Sequence, residues 1–483
     1  MRKALFFICL ILLAGISLGA QNTLSLNGLN EAKFVWRSVE DSLNIYFRDS
    51  FAFNLGYRNF SFGMKFIAEL PKYSTNQSEL LGEIDPERLE LGWKEIYASY
   101  ARDALLIHAG TLDETFGSGI ALRSFEDIEF DQDHRMTGFK FRYDEVLRLK
   151  ALYGAIESPS VTGRYDIAYG IDAEYPLSHF LSIGGSAIGM RNITPFSTYN
   201  QSEIYSGRTR ISFGSFQLSG EYATRDLYKR GLGLPSIQGT AIFADASFSF
   251  SPIQFGAAYK NYDQFQYRLQ DLPMANHHSE TLSDNQGSGL DEEGFQGWTT
   301  LSLTESMSLN LDYAEAWNKA KTKNMNDAYA GLDLTLGNNI ATFSYSHVEK
   351  LDETTDHWQK EVYPAFNAGF PVKGKSVVMS GEFKIVEKQQ NITTHSYYEP
   401  KLQADLSLGR TSLSVGAQSR WADFSAVMDS RYWLNMETKY RLYDHTEIVL
   451  FAGKEAGGKV CRNGVCRYMA PFSGIRMELN TRF

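Results

Sequence analysis

Apolar and polar residues alternate along most of this 483-residue chain. In Ser308-Leu309-Asn310-Leu311-Asp312-Tyr313, the leucines and tyrosine share one face and Ser, Asn and Asp share the other. Ser412 to Gln418 repeats the pattern. Thr137, Phe139, Phe141 and Tyr143 oppose Gly138, Lys140, Arg142 and Asp144, and Ala341, Phe343 and Tyr345 oppose Thr342, Ser344 and Ser346. Successive side chains of a strand point to opposite faces, so a period of two predicts half-buried strands, and no stretch carries a convincing helical stripe.

The connections alternate in length. Tight ones, rich in Gly, Pro, Asn, Asp and Ser, fall near Asn59, Arg102-Asp103, Asp144-Glu145, Pro176 to His179, Gly214-Ser215, Ser251-Pro252, Glu305-Ser306, Asn338-Asn339, Gly409-Arg410 and Tyr443-Asp444. Longer polar stretches lie between them, among them Pro71 to Leu91, Leu112 to His134, Arg191 to Gln201, Leu227 to Gln238, Leu269 to Glu293, Leu351 to Asp356 and Ala456 to Pro471. Short turns at one end and long loops at the other are the layout of a transmembrane β-barrel, here an all-β, antiparallel, up-and-down barrel of about 24 strands. The expected count is even, with both termini periplasmic. A β-solenoid or a pair of β-sandwiches would need a fixed repeat period or a linker, and the chain shows neither.

The two ends of the chain fit a barrel. In the last run, Ile475, Met477, Leu479, Thr481 and Phe483 point one way, and Gly474, Arg476, Glu478, Asn480 and Arg482 the other. This predicts a closing strand, Ser473 to Phe483, that pairs with a first strand near Leu24 to Arg37 and follows a strand near His445 to Glu455. A terminal Phe on an amphipathic strand is expected to be the signal read by the barrel assembly machinery, a predicted partner. At the other end, Met1-Arg2-Lys3, an apolar run from Ala4 to Gly15 and the small residues before Gln21 read as a secretory signal peptide over residues 1–20, cleaved after Ala20. Residues 21–483 are then the barrel, and its lipid partners and location are those of the bacterial outer membrane.

Composition agrees with this reading. Aromatics make up 14% of the chain, with 27 Tyr and 32 Phe, yet mean hydropathy is only -0.30. Alternation hides apolar residues in that way. The formal net charge is -10, and loss of Arg2 and Lys3 with the signal makes it more negative. No basic stripe exists to hold nucleic acid.

Two segments stand apart. In Val460-Cys461-Arg462-Asn463-Gly464-Val465-Cys466-Arg467, Asn-Gly predicts a two-residue hairpin turn with Cys461 opposite Cys466. A disulfide there suits an exported protein better than a metal pair, since no His or third Cys lies nearby. Gly110 to Asp127 breaks the barrel rhythm. Its Gly117-Ser118-Gly119 permits sharp turns, and Asp113, Glu114, Glu126, Asp127, Glu129, Asp131 and Asp133 outnumber Arg123 and Arg135. Two readings follow: an external loop with solvated acids, or a loop folded into the lumen. In the second, Glu114, Glu126 and Asp127 face Arg123 across a constriction and, with Asp113, favour cations.

The Gly110–Asp127 pattern, G-x-x-x-E-x-F-G-x-G-x-x-L-R-x-x-E-D, resembles that of a family of large bacterial outer-membrane β-barrel proteins of unknown function. The resemblance runs from about residue 22 to the C-terminal Phe. It lies in layout: an early pair of long strands, the Gly-Phe-Gly segment near residue 115, Trp-rich later strands and the apolar closing strand. It implies fold and location, and no activity, cofactor or catalytic residue.

Function remains between classes. A channel for small polar solutes suits the wide lumen and the inward Ser, Asn, Asp, Arg and Lys. A non-conducting scaffold for adhesion, secretion or envelope assembly, binding a partner protein, suits the acidic loops and aromatic-rich external stretches such as Tyr259 to Tyr267. An enzyme would need Ser, His and an orienting group together. His277-His278, with Ser279, Glu280 and Asp284, reads instead as a solvated loop tip. A TonB-type transporter would need a plug domain before the barrel, yet alternation begins at Leu24. No enzyme activity, cofactor or metal is expected.

Overall fold

The computed structural model describes residues 24–39, 42–70, 90–127, 132–194, 199–226, 238–283, 288–390, 393–422, 431–462, 465–469 and 471–483. The expected signal peptide, Glu129 and Asp131 lie outside them. Twenty-four strands form one sheet in which each pairs antiparallel with the next. The first strand, Leu24–Val39, pairs with the last, Phe472–Arg482, in a register from Leu29↔Arg482 to Arg37↔Gly474. The sheet is therefore a closed barrel with no free edge.

Strands run from 8 residues (Leu105–Leu112) to 16 (Leu24–Val39). At about 3.3 Å per residue and a tilt of about 40°, a strand of middle length crosses the roughly 25 Å apolar band of an outer-membrane barrel. The outward face supplies that band. Phe34, Trp36, Phe47, Phe51, Tyr153, Tyr169, Phe255, Phe343, Leu434 and Met477 are all exposed on it. Their strand neighbours, such as Val35, Leu152 and Ala168, are buried and point inward.

Eleven connections, each of two to four residues, lie at the end of the barrel that holds Leu24 and Arg482; the other twelve lie at the opposite end and include the long ones, although Val39 to Ser42 and Gln390 to Thr393 are as short as the turns. The turn absent from the sequence expectation is Lys373-Gly374, which joins His357–Val372 to Lys375–Gln390. Both residues have positive φ, 49° and 76°. That is the type I′ geometry whose twist matches a hairpin. Lysine there hid the turn, because only its glycine is a turn former.

Candidate functional site

The lumen is where the chain departs from a plain barrel. Two loops from the long-loop end fold back into it: the segment between Leu105–Leu112 and Met136–Asp144, and the segment between Ile253–Asp263 and Asp291–Thr304.

The first is held by apolar burial. Leu112, Phe116, Ile120, Ala121 and Leu122 are fully buried. They share one core with the inward-facing Leu152, Ile156, Ala168, Ile188, Ile204, Ala223 and Ala241 of the wall and with Phe265, Leu269 and Leu272 of the second loop. Each large side chain so buried contributes about 1.5–3 kcal/mol. The wall is hollowed to receive the segment. A Cβ added at Gly170 would lie 3.2 Å from the Phe116 ring. Gly117 adopts φ +60°, and a Cβ there would lie 2.5 Å from the Glu221 carboxylate, which accepts a 2.8 Å hydrogen bond from the Ser118 backbone N–H. The Gly-Ser-Gly turn thus lets the backbone approach a buried wall carboxylate.

The loops also clasp each other. Arg123 pairs with Asp271, and its backbone N–H donates to the Leu269 carbonyl at 2.9 Å. The Asp271 N–H donates to the Gly119 carbonyl at 3.2 Å. Tyr267 donates its hydroxyl to the Ile120 carbonyl at 2.5 Å. Burial, and then the negative Glu221, push the Tyr267 phenol well above its ordinary pKa, so it remains a donor at any working pH.

The structure places the predicted constriction residues in a different pairing from the one expected. Arg123 pairs with Asp271 of the second loop, while Glu114 and Glu126 meet other bases. Glu114 lies 3.1 Å from Lys150 and 4.0 Å from Lys140, and Lys140 also bonds the Asp113 carbonyl at 2.6 Å. Glu126 lies 3.4 Å from Lys65 and 3.3 Å from Arg135, which reaches Glu95 at 2.7 Å and Asp133 at 2.8 Å. Burial opposes ionisation of Asp133, but the hydrogen bonds and charge of Arg135 outweigh it and hold the carboxyl below its ordinary pKa. The Asp113 side chain is 76% exposed, and Asp127 is half-buried in a short pairing with Gln132. The wall supplies the partners of these acids, and strand registers that bring Lys65, Lys140 and Lys150 beside the segment are not visible in a linear pattern.

The His277-His278 tip corrects the sequence reading. It is not a solvated loop tip; it docks on the inner wall. His278 Nδ1 lies 2.6 Å from Asp327 Oδ1, its backbone N–H donates to Asp327 Oδ2 at 2.9 Å, and its Nε2 lies 3.1 Å from Ser346 Oγ. His277 stacks on Tyr329 with centroids 3.9 Å apart. Glu280 pairs with Lys350 at 2.5 Å. Tyr259 to Tyr267 is corrected likewise. It is the end of a barrel strand leading into the lumen, with Tyr262 and Phe265 fully buried.

The Asp327–His278–Ser346 chain has the distances of a nucleophilic triad. Ser346 is only 3% exposed, however, and Tyr363 bonds the same hydroxyl that His278 reaches. An acyl group has no approach to that oxygen, so the chain acts as an anchor. Among the described residues no group of three or more His, Cys, Asp or Glu could hold a metal ion.

Around the rest of the circumference the inner wall carries partly exposed ion pairs beside the buried Val386, Val449 and Phe451. Lys384 pairs with Glu361 at 2.6 Å, Arg420 with Glu399 at 2.7 Å and Arg476 with Glu437 at 3.4 Å. Arg420 also lies 4.6 Å from the Tyr397 ring centre, and 34% of its side chain meets solvent. Phe483, at the turn end, exchanges backbone hydrogen bonds with Gly28 at 2.8 and 3.1 Å and stacks its ring on Phe51, centroids 5.8 Å apart. The backbone sets Cys461 opposite Cys466, as expected, while their side chains lie outside the described residues.

A family model described as "Family of unknown function (DUF6029)" matches residues 1–284, more than half of the chain. No curated protein matches. Among solved structures, similarity extends to a chain of the E. coli P pilus tip assembly intermediate PapC-PapD-PapK-PapG, at TM-score 0.57 and 10% identity. The match covers 95% of this chain and 60% of that one, so this chain spans less than two thirds of its length. The siderophore receptor PirA from Pseudomonas aeruginosa matches at TM-score 0.48 and 10% identity, over 95% of this chain and 80% of the receptor. OccK10 from the same species matches at 0.40 and 11%, over 73% and 99%. The first of these matches shows a shared fold, that of a large closed β-barrel.

Proposed function

We propose that this chain, which belongs to the DUF6029 family of unknown function, is an outer-membrane channel for small polar solutes, narrowed by two of its own loops. The carrying observation is the asymmetry of the lumen. From Leu105–Leu112 round to His357–Val372 the inner wall is covered by the inward loops. From Lys375–Gln390 through the closing seam it carries ion pairs that solvent reaches. A barrel sealed for scaffolding gains nothing from a hydrated charged wall, whereas a narrowed passage needs one to replace the water shell of a polar solute. The long-loop end is external in this reading, and the barrel assembly machinery and outer-membrane lipids are its partners. The runner-up, a non-conducting scaffold, is supported by the size of the luminal core.

Purified protein in a planar bilayer is expected to show discrete conductance steps with a modest preference for cations. Most of the acids in the inward segment are matched by Lys65, Lys140, Lys150 and Arg135. Replacing Glu114, Glu126 and Asp127 with their amides should therefore shift the reversal potential away from cations by only a few millivolts in a tenfold salt gradient. No conductance from heat-modifiable, folded barrel puts the scaffold ahead. The external hairpin belongs to the same proposal: Cys461 and Cys466 are bonded in the exported protein, a reading supported by their opposite positions in the hairpin register, since a disulfide needs Cα atoms roughly 4.4–6.8 Å apart. Two free thiols in the denatured, unreduced mature protein would refute the bridge.

A further inference from the structure

The two inward loops are fixed to the wall by different forces. Leu112 to Leu122 is buried in an apolar core. The distal arm of the second loop, Asn276 to Ser283, touches the wall mainly through polar groups. His278 bonds Asp327 and Ser346, Glu280 pairs with Lys350, and the Ser283 hydroxyl donates to Asp352 at 3.3 Å. Its apolar foothold is Leu282 against Ala316 and Met325. Water replaces a hydrogen bond when an arm lifts, so each such bond holds it by a small net amount, whereas water cannot replace apolar contacts. The arm is therefore the part of the plug most easily released.

We infer that the Asn276–Ser283 arm is a gate that lifts from the wall as a unit while the Gly110–Asp127 segment stays seated, and that His278 is its pin. His278 touches three strands at once. Asp327 meets it from Lys323–Leu336, Ser346 from Asn339–Asp352, and Tyr363, in edge-on ring contact at 5.3 Å, from His357–Val372. Release of this one residue removes a tie to each of the three and leaves Glu280–Lys350, Ser283–Asp352 and the Leu282 contact as the arm's remaining hold; as these yield, the passage widens on that side. The inference rests on the channel reading only for what the motion does, so its test reads motion without current.

Met325 is fully buried under the arm, and Leu122 is fully buried in the segment that stays. Each is replaced by cysteine in a Cys461→Ser, Cys466→Ser background, and maleimide labelling of the reconstituted barrel is timed. Asp327→Asn should speed labelling of the Met325→Cys protein at least tenfold and leave the Leu122→Cys protein slow. Ser346→Ala, which keeps the Asp327 contact, should give a smaller acceleration. Equal acceleration at both cysteines means the plug moves as one body, and no acceleration at either means the arm is fixed; both overturn the gate. A Leu282→Cys, Met325→Cys cross-link supplies the current readout. It should suppress the larger conductance state, with recovery in reductant. If the labelling result holds and no variant conducts, the gate stands and the channel reading falls. If current flows and the cross-link leaves it unchanged, the channel stands and the gate falls.

Discussion

Phe116→Asp is expected to raise the conductance of the reconstituted barrel several-fold. Phe116 is fully buried between the wall hollow at Gly170 and the rest of the luminal core. Truncating such a ring costs about 3–5 kcal/mol, and a carboxylate in its place adds the cost of burying a charge. The segment relieves both by lifting its turn off the wall, where the ties beside Phe116 are polar, Ser118 to Glu221 and Glu114 to Lys150, while Ile120 and Leu122 still hold its far side to the core. The strands keep their pairing, so the barrel should still migrate as a folded species that shifts on heating. Single-channel recording of parent and variant, side by side, makes the check. An unchanged step in a folded variant would show that the segment is not the constriction. A silent parent and a conducting variant would mean that the chain is a plugged scaffold and that this segment is the plug.

The barrel was legible because its signal is a period of two, repeated some two dozen times, with turn formers between. Membrane barrels need every strand to satisfy the same alternation, so errors at single turns such as Lys373-Gly374 leave the architecture intact. The inward loops were half legible. Gly117-Ser118-Gly119 announced a sharp turn, and the break in rhythm marked Gly110 to Asp127 as unusual. Which bases would meet its acids could not be read, because Lys65, Lys140 and Lys150 come from three different strands and are brought to the segment only by the register in which the strands pair. The second loop was misread for a related reason. Its residues, Arg268, Asp271, His277, His278 and Glu280, have the composition of a solvated tip. Their partners Asp166, Asp327, Ser346 and Lys350 are strand residues 49 or more positions away, chosen by the inward face of the barrel. Polarity therefore predicted water where the structure supplies wall. The same composition explains why the arm can leave: its side chains are at home in water.

Deleting Phe483 is expected to reduce the folded barrel to a small fraction of its normal level, and the structure separates two reasons why. Closure depends on nine register pairs between the first and last strands, from Leu29↔Arg482 to Arg37↔Gly474. An open edge in lipid leaves backbone groups unpaired at several kcal/mol each, so the seam must form completely. Phe483 lies just past the last pair, spans the first strand above Gly28 and stacks on Phe51 of the second. It clasps the seam, and Gly28 makes room: a Cβ there would meet the Phe483 ring at 2.4 Å and the Ala52 carbonyl at 2.6 Å. Gly28→Val should therefore cost about 1–3 kcal/mol as an overpacked contact. If the terminal ring acts as a clasp, both changes lower the yield of barrel refolded into detergent from denaturant, where no assembly machinery is present. If it acts only as an address read in the cell, the Phe483 deletion refolds normally in detergent and fails only in the outer membrane, while Gly28→Val remains impaired in both. The clasp is rejected by a deletion variant that refolds and melts like the parent.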